Sequence, residues 1–158
     1  MHHITIQRAL SKRTYVPKNN LMRMWVKKTL NAHPRSIELT IRLVSINEMV
    51  MLNKRYRNKE GPTNILSFRM TQIKGLEYAV PLLGDMVLCP EIVNEQAKEQ
   101  HKPLESHWAH LIIHGTLHLL GHDHQNQIDA THMESLEIQL MEQLNFNNPY
   151  YLRDNHDQ

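Results

Sequence analysis

A short run near the middle of the chain, His114-Gly115-Thr116-Leu117-His118-Leu119-Leu120-Gly121-His122-Asp123-His124, carries the residue types and spacing of a metal site. His114 and His118 are four apart, so on a helix both imidazoles leave one face a turn apart, near enough to share an ion. Gly121 follows an apolar stretch. A glycine there can take the left-handed conformation that ends a helix and turns the chain back, which lets His124 swing toward the first two. Three neutral nitrogen ligands suit one zinc ion per chain and leave its fourth tetrahedral position open to water or substrate, the arrangement of a catalytic site. The competing reading, histidines scattered over surface and core in a chain that carries 12 of them, fits this spacing poorly.

Metzincin proteases use the same spacing, H-E-x-x-H-x-x-G-x-x-H. Position 115 is Gly here, where those proteases carry the glutamate that serves as general base for the attacking water. The metal cradle is kept and the peptidase base is lost.

The elements that must position these histidines follow from periodicity. His3 to Arg8 places Ile4 and Ile6 two apart among polar residues, as a short half-buried strand does. After Pro17, the Asn19-Asn20 pair is suited to cap a helix running to about Ala32, with Leu21, Met24 and Trp25 on one side. Ile37, Leu39, Ile41 and Leu43 alternate with polar residues, the clearest strand in the chain, with one wet face. Ser45 and Glu48 form a Ser-x-x-Glu capping box for a helix through Met49, Leu52 and Tyr56 that ends in the basic run Lys54, Arg55, Arg57, Lys59.

Gly61-Pro62 breaks the chain before a second alternating strand, Ile65 to Met70, and residues 71–81 read as a loop. Leu82 to Cys89 is more continuously apolar, as a central strand is. Asp85 interrupts it. A buried carboxylate is costly unless paired, so Asp85 either meets a basic group or supports the metal site. Cys89 reads as a small core residue. Pro90 opens a helix, and Pro103 separates it from the histidine-bearing helix, which has Glu105 in its first turn. That helix is apolar nearly all round, through Trp108, Leu111, Ile112, Leu117, Leu119 and Leu120, and should run through the middle of the domain. A last helix, Ile128 to Leu144, shows Met133, Leu136, Leu140 and Leu144 at spacings of three and four; residues 146–158 form a polar, loosely held tail. The sum is one α+β domain over residues 1–158, with a small mixed sheet of about four strands packed with about five helices and the metal-bearing helix central.

The net charge of +2 conceals an uneven distribution. Residues 1–74 hold 15 Lys and Arg against 3 Asp and Glu, and residues 75–158 hold 3 against 13. Such asymmetry suggests a polyanion partner attracted through counterion release; the alternative is that the two halves pair with each other across the fold. A lone Cys89 excludes an intramolecular disulfide, and the first residues lack the apolar stretch of a signal peptide, which points to a reducing cytoplasm. No apolar run approaches the roughly 20 residues of a membrane span.

The histidine run resembles the signature of the YbeY-type endoribonucleases, bacterial ribosomal RNA maturation factors, H-G-x-L-H-L-x-G-x-D-H. The resemblance extends to Tyr56-Arg57, to Pro62-Thr63-Asn64-Ile65-Leu66-Ser67-Phe68 and to Leu83-Gly84-Asp85-Met86-Val87-Leu88-Cys89, in the right order over most of the chain. His122 stands where the family usually has an aromatic residue, and spacing favours His124 over His122 as third ligand. The resemblance implies a single-strand-specific endoribonuclease acting in 16S rRNA 3′ end maturation and ribosome quality control. It implies zinc on His114, His118 and His124, and an essential arginine that falls on Arg57. The implied partners are single-stranded rRNA and the small ribosomal subunit with its assembly factors, and no DNA.

Phosphodiester cleavage adds negative charge to the phosphorus oxygens, which an ion held by His114 and a bidentate Arg57 can both stabilise, making these two the candidate catalytic residues. Arg57 itself, Lys59, Asp85 and His110, one turn before His114, are the candidate substrate contacts. The general base stays open between an ion-activated water, the RNA 2′-hydroxyl aided by a histidine, and Asp85 acting through water. Two rival functions remain: a metallopeptidase, and a ribosome-assembly RNA-binding factor whose zinc only holds the fold.

Overall fold

In the computed structural model, which describes residues 2–31, 33, 35–70, 82–122 and 126–150, the chain runs β1 (His3–Ala9), α1 (Asn19–Thr29), β2 (Glu38–Val44), α2 (Ile46–Arg57), β3 (Ile65–Arg69), β4 (Leu82–Leu88), α3 (Pro90–Glu99), α4 (Leu104–Leu119) and α5 (Gln127–Gln143). The sheet order is β1-β2-β4-β3. β1, β2 and β4 are parallel, and β3 lies antiparallel to β4 at one edge. This is the mixed four-stranded sheet with five helices, α+β, that periodicity predicts.

Strand alternation divides the core in two. Leu39, Ile41 and Leu43 of β2 and Met86 and Leu88 of β4 point to the side where α1, α4 and α5 pack. Leu66, Val87 and Cys89 point the other way, against Met49 and Leu52 of α2. Helix α4 touches α1, α3, α5, β3 and β4, and ten of its residues are buried, which its all-round apolar sequence requires. Among the described residues no helix is long and apolar enough to cross a membrane.

Three local expectations change. Asn19 does not cap α1; Lys18 holds the cap position without a side-chain bond, and the Asn19 Oδ1 instead accepts from the Arg8 guanidinium at 2.6 Å. The capping box of α2 is half made: the Glu48 amide donates to Ser45 Oγ at 3.3 Å, but the Glu48 carboxylate takes both Nε and Nη2 of Arg42, at 2.9 and 3.1 Å. A bidentate guanidinium outcompetes a single backbone amide. The start of the expected loose tail is packed: the Phe146 ring meets Trp25 edge-on at 6.4 Å, Pro149 is buried, and the Tyr150 hydroxyl reaches α5.

The ion pairs between Lys or Arg and carboxylates of the described residues, Arg42–Glu48 and Lys54–Glu60, both lie within the basic half of the chain.

Candidate metal centre

The end of α4 is built as the sequence dictates. Gly121 has φ +106°; its amide donates to His118 O at 3.0 Å and the His122 amide to Leu117 O at 3.1 Å. These paired bonds form a Schellman turn, which needs a left-handed residue and so favours glycine. The turn satisfies carbonyls left open at the helix end and reverses the chain just before His124, which lies outside the described residues. Arg69 of β3 adds a third donor, Nη2 to His118 O at 3.0 Å, and sets a positive charge at the negative end of the helix.

His114 and His118 share a face of α4 with ring centroids 5.6 Å apart. Gly115 faces the opposite way. A β-carbon there meets Met86 Sδ at 2.5 Å and Ile65 Cδ1 at 2.8 Å, so the residue at 115 lets the helix lie directly on β3 and β4. A glutamate here must displace the Met86 and Ile65 side-chain ends.

Behind the two histidines stands a buried carboxylate that sequence reasoning passed over. Glu137 of α5 is wholly inaccessible. Its Oε1 lies 2.9 Å from His114 Nδ1, its Oε2 meets His110 Nε2, and the Tyr150 hydroxyl donates to the same Oε2 at 2.7 Å. Burial by itself raises the carboxyl pKa, but the bonds and charge of His110 and His114 outweigh it and hold Glu137 well below the usual carboxylate range. A sequence signal for Glu137 existed. Met133, Glu137 and Met141, all buried, are four apart, so a charge sits on the inward stripe of an amphipathic helix, where it is costly unless paired. Nothing comparable marks Tyr150 or Arg69.

The other expected site residues fall elsewhere. His110 turns toward Glu137, and its side chain is only 13% exposed. Asp85 points to the α2 side of the sheet, where it lines a 410 Å3 cavity with Gln7, Thr40, Arg42, Tyr56 and Phe68. Among the described residues no ion pair reaches it, and burial pushes its carboxyl pKa up; it lies on the face of the sheet away from the histidines. Arg57 ends α2 and is exposed, as is Lys59, beyond the left-handed Asn58 that terminates the helix. The two sides come close at one place. Tyr56, next to Arg57, packs edge-on against Phe68 of β3 at 5.1 Å, and the next residue, Arg69, bonds the backbone of His118. The ends of α2 and α4 therefore meet opposite faces of two consecutive residues on the edge strand.

Among the described residues no three His, Cys, Asp or Glu side chains gather as a metal site. The donor chemistry nevertheless fits an ion: two imidazoles on one helix face, one of them engaged through Nδ1 by a buried carboxylate, is the environment of histidine ligands generally.

Comparison with known proteins extends this pattern to nearly the whole chain. The solution structure of a protein from Thermotoga maritima superposes with a TM-score of 0.57, covering 92% of each chain at 21% identity, which shows a shared fold. A protein of Nitrosococcus oceani named Endoribonuclease YbeY is 46% identical over 147 residues, 93% of this chain and 95% of that one. Residues 6–145 match the family described as Endoribonuclease YbeY. A fold, a histidine-bearing helix end and a sequence match that spans every described strand and helix but the first residues of β1 lead to one assignment: the chain belongs to the YbeY family.

Proposed function

We propose that this protein is a metal-dependent endoribonuclease that cuts single-stranded rRNA, with one zinc ion on His114, His118 and His124. RNA cleavage itself follows from family membership at 46% identity over almost the full length. The observation that supports the site assignment is the His114–Glu137 bond beside His118, which leaves one ring of the pair held by a buried acceptor.

When bound, the ion supplies a positive charge for the phosphorus oxygens and lowers the pKa of a water molecule. The remaining roles belong to side chains. Arg57 and Lys59, exposed at the end of α2, bind phosphates, Arg57 in bidentate fashion. β3 is an edge strand of the sheet, and a single strand passing it could meet Arg57 from the α2 side and the histidines from the α4 side. A duplex is too wide and stiff to turn round that edge, which supports the preference for single strands. Asp85 lies on the Arg57 side of the sheet, so its place supports a substrate contact rather than the general base. His110, engaged with Glu137, supports the histidine site from within. The substrate we assign is the 3′ end of 16S rRNA, met on the small ribosomal subunit in the cytoplasm.

Cleavage of a single-stranded rRNA fragment by parent, Arg57→Ala and His114→Ala proteins, purified side by side, tests this reading. Parent activity that falls by two or more orders of magnitude in both variants is expected. Equal residual activity in all three would indicate a contaminating nuclease and defeat the assignment. Folded variants that process rRNA in cells as well as the parent would favour the assembly-factor role instead.

A further inference from the structure

Glu137 joins three stretches of chain. Both of its oxygens are occupied, Oε1 by His114 Nδ1 and Oε2 by His110 Nε2 and the Tyr150 hydroxyl, and no part of the side chain reaches solvent. A carboxylate so placed costs several kcal/mol unless its lone pairs are used. Its partners here are two members of α4 one turn apart and a residue beyond the end of α5, so the arrangement does more than satisfy a buried charge.

An ionised carboxylate only accepts hydrogen bonds. The nitrogen of His114 that faces Oε1 must therefore carry a proton, and in the neutral ring this leaves the lone pair on Nε2, the form in which that atom can ligate a cation. His114 is 25% exposed while Glu137 is fully buried, so the carboxylate meets the ring from the inner side. We propose that Glu137 is a positioning residue for the metal site, fixing the tautomer and the ring plane of His114, and that Tyr150 and His110 hold the carboxylate in place by its second oxygen. The inference rests on the reading of His114 as a metal ligand. It assigns to the segment after α5 a part in that site: Tyr150 lies 13 residues from Glu137 in sequence and closes the back of the histidine cluster, its ring 5.4 Å from that of His110.

Glu137→Gln probes the tautomer directly. Glutamine offers one acceptor and one amino group at a place where three donors converge. With its oxygen toward His110 and Tyr150, which outnumber His114 two to one, its amino group faces His114 Nδ1. That nitrogen must then accept, the proton moves to Nε2, and the ligating lone pair is lost. Tyr150→Phe leaves the carboxylate and removes a single donor, so it preserves folding and loosens the arrangement.

Zinc affinity is measured by competition with a chromophoric chelator for the parent, Glu137→Gln, Tyr150→Phe and His118→Ala proteins. Long-range 1H–15N spectra of the metal-free proteins report which ring nitrogen of His114 is protonated. The expected result is tight zinc binding by the parent and its loss in His118→Ala. Affinity falls about 10- to 100-fold in Glu137→Gln and a few-fold in Tyr150→Phe, as supporting groups behind metal ligands generally show. His114 is protonated on Nδ1 in the parent and on Nε2 in Glu137→Gln. A parent that fails to bind zinc defeats the metal reading and this inference with it. A parent that binds, with Glu137→Gln unchanged in affinity and tautomer, defeats this inference alone, whatever the loss in melting temperature. If Glu137→Gln does not fold, Tyr150→Phe decides: affinity equal to the parent's overturns the proposal.

Discussion

Gly115 of α4 lies so close to Met86 of β4 that a β-carbon added at position 115 stands 2.5 Å from the Met86 sulfur. Alanine here gains about 1 kcal/mol of helix propensity but overpacks the contact at a cost of roughly 1–3 kcal/mol. Gly115→Ala is therefore expected to lower the melting temperature by a few degrees. Gly115→Glu, which restores the protease motif, must displace the buried Met86 and Ile65 side chains and bring a carboxylate among them, and we expect a larger loss of melting temperature than for Gly115→Ala. A Gly115→Glu protein as stable as the parent, or one that hydrolyses peptides, contradicts this account.

Metal binding should be readable as stability. An ion that binds only the folded chain adds about 2.7 kcal/mol when its free concentration is 100 times the dissociation constant. Zinc is expected to raise the melting temperature of the parent, and a chelator to reverse the shift. His114→Ala and His118→Ala should show neither effect. Shifts retained in both variants would place the ion elsewhere.

Asp85 is half-buried with no ion pair among the described residues, and burial raises its pKa above the ordinary 3.8. The sign follows from proton linkage. With the folded pKa above the unfolded one, the folded chain binds more protons between the two values, so stability falls as pH rises through that window and stays lower above it. Asp85→Asn removes this cost. The variant should be more stable than the parent at neutral pH, with the difference vanishing below the ordinary carboxyl pKa. Urea titrations at pH 7 and pH 3.5 test this; a less stable variant at neutral pH would show that the Asp85 charge is compensated. Retained RNA cleavage by the same protein would also exclude Asp85 as general base.

His107 of α4 is buried, and desolvation, with the nearby Lys102 and His110 adding to it, pushes its pKa down from 6.5 to about 4. Here the unfolded chain binds more protons between the two values. The stability due to the neutral ring is complete above pH 6.5 and is lost as pH falls toward 4, a difference of at most about 3 kcal/mol. His107→Gln, which keeps a partner for Gln96, should show a flatter stability profile over that interval. Parallel profiles for parent and variant would mean that other groups carry the acid sensitivity.

Residues 1–74 carry 15 Lys and Arg against 3 Asp and Glu, a charge excess suited to a polyanion. RNA affinity should fall log-linearly with salt, at a slope of about 0.7 per phosphate contacted on a single strand. Arg57→Ala and Lys59→Ala should each reduce that slope by somewhat less than one unit. A flat salt response would remove the case for a basic binding face.

Much of the fold was legible in the chain because each element needed only local information. Ile37 to Leu43 alternate, and the inward residues Leu39, Ile41 and Leu43 are fully buried. Pro90 opens α3, and Gly121 turns the chain after α4. Where expectation and structure part, an arginine of the preceding strand holds the group: Arg8 of β1 bonds Asn19, and Arg42 of β2 takes the carboxylate of Glu48.

The sequence by itself determined the histidine helix, its glycine turn, the missing peptidase base and the family, since all of these are written in spacing along one segment or in a match along the whole chain. Only the tertiary structure decided what stands behind and beside the histidines. The sheet separates Asp85 from them, Tyr56 at the end of α2 packs on Phe68 of the edge strand, and α5 sets Glu137 against His114. Those relations depend on strand pairing and helix packing between residues far apart in sequence, and no local pattern encodes which distant acceptor a buried imidazole will find.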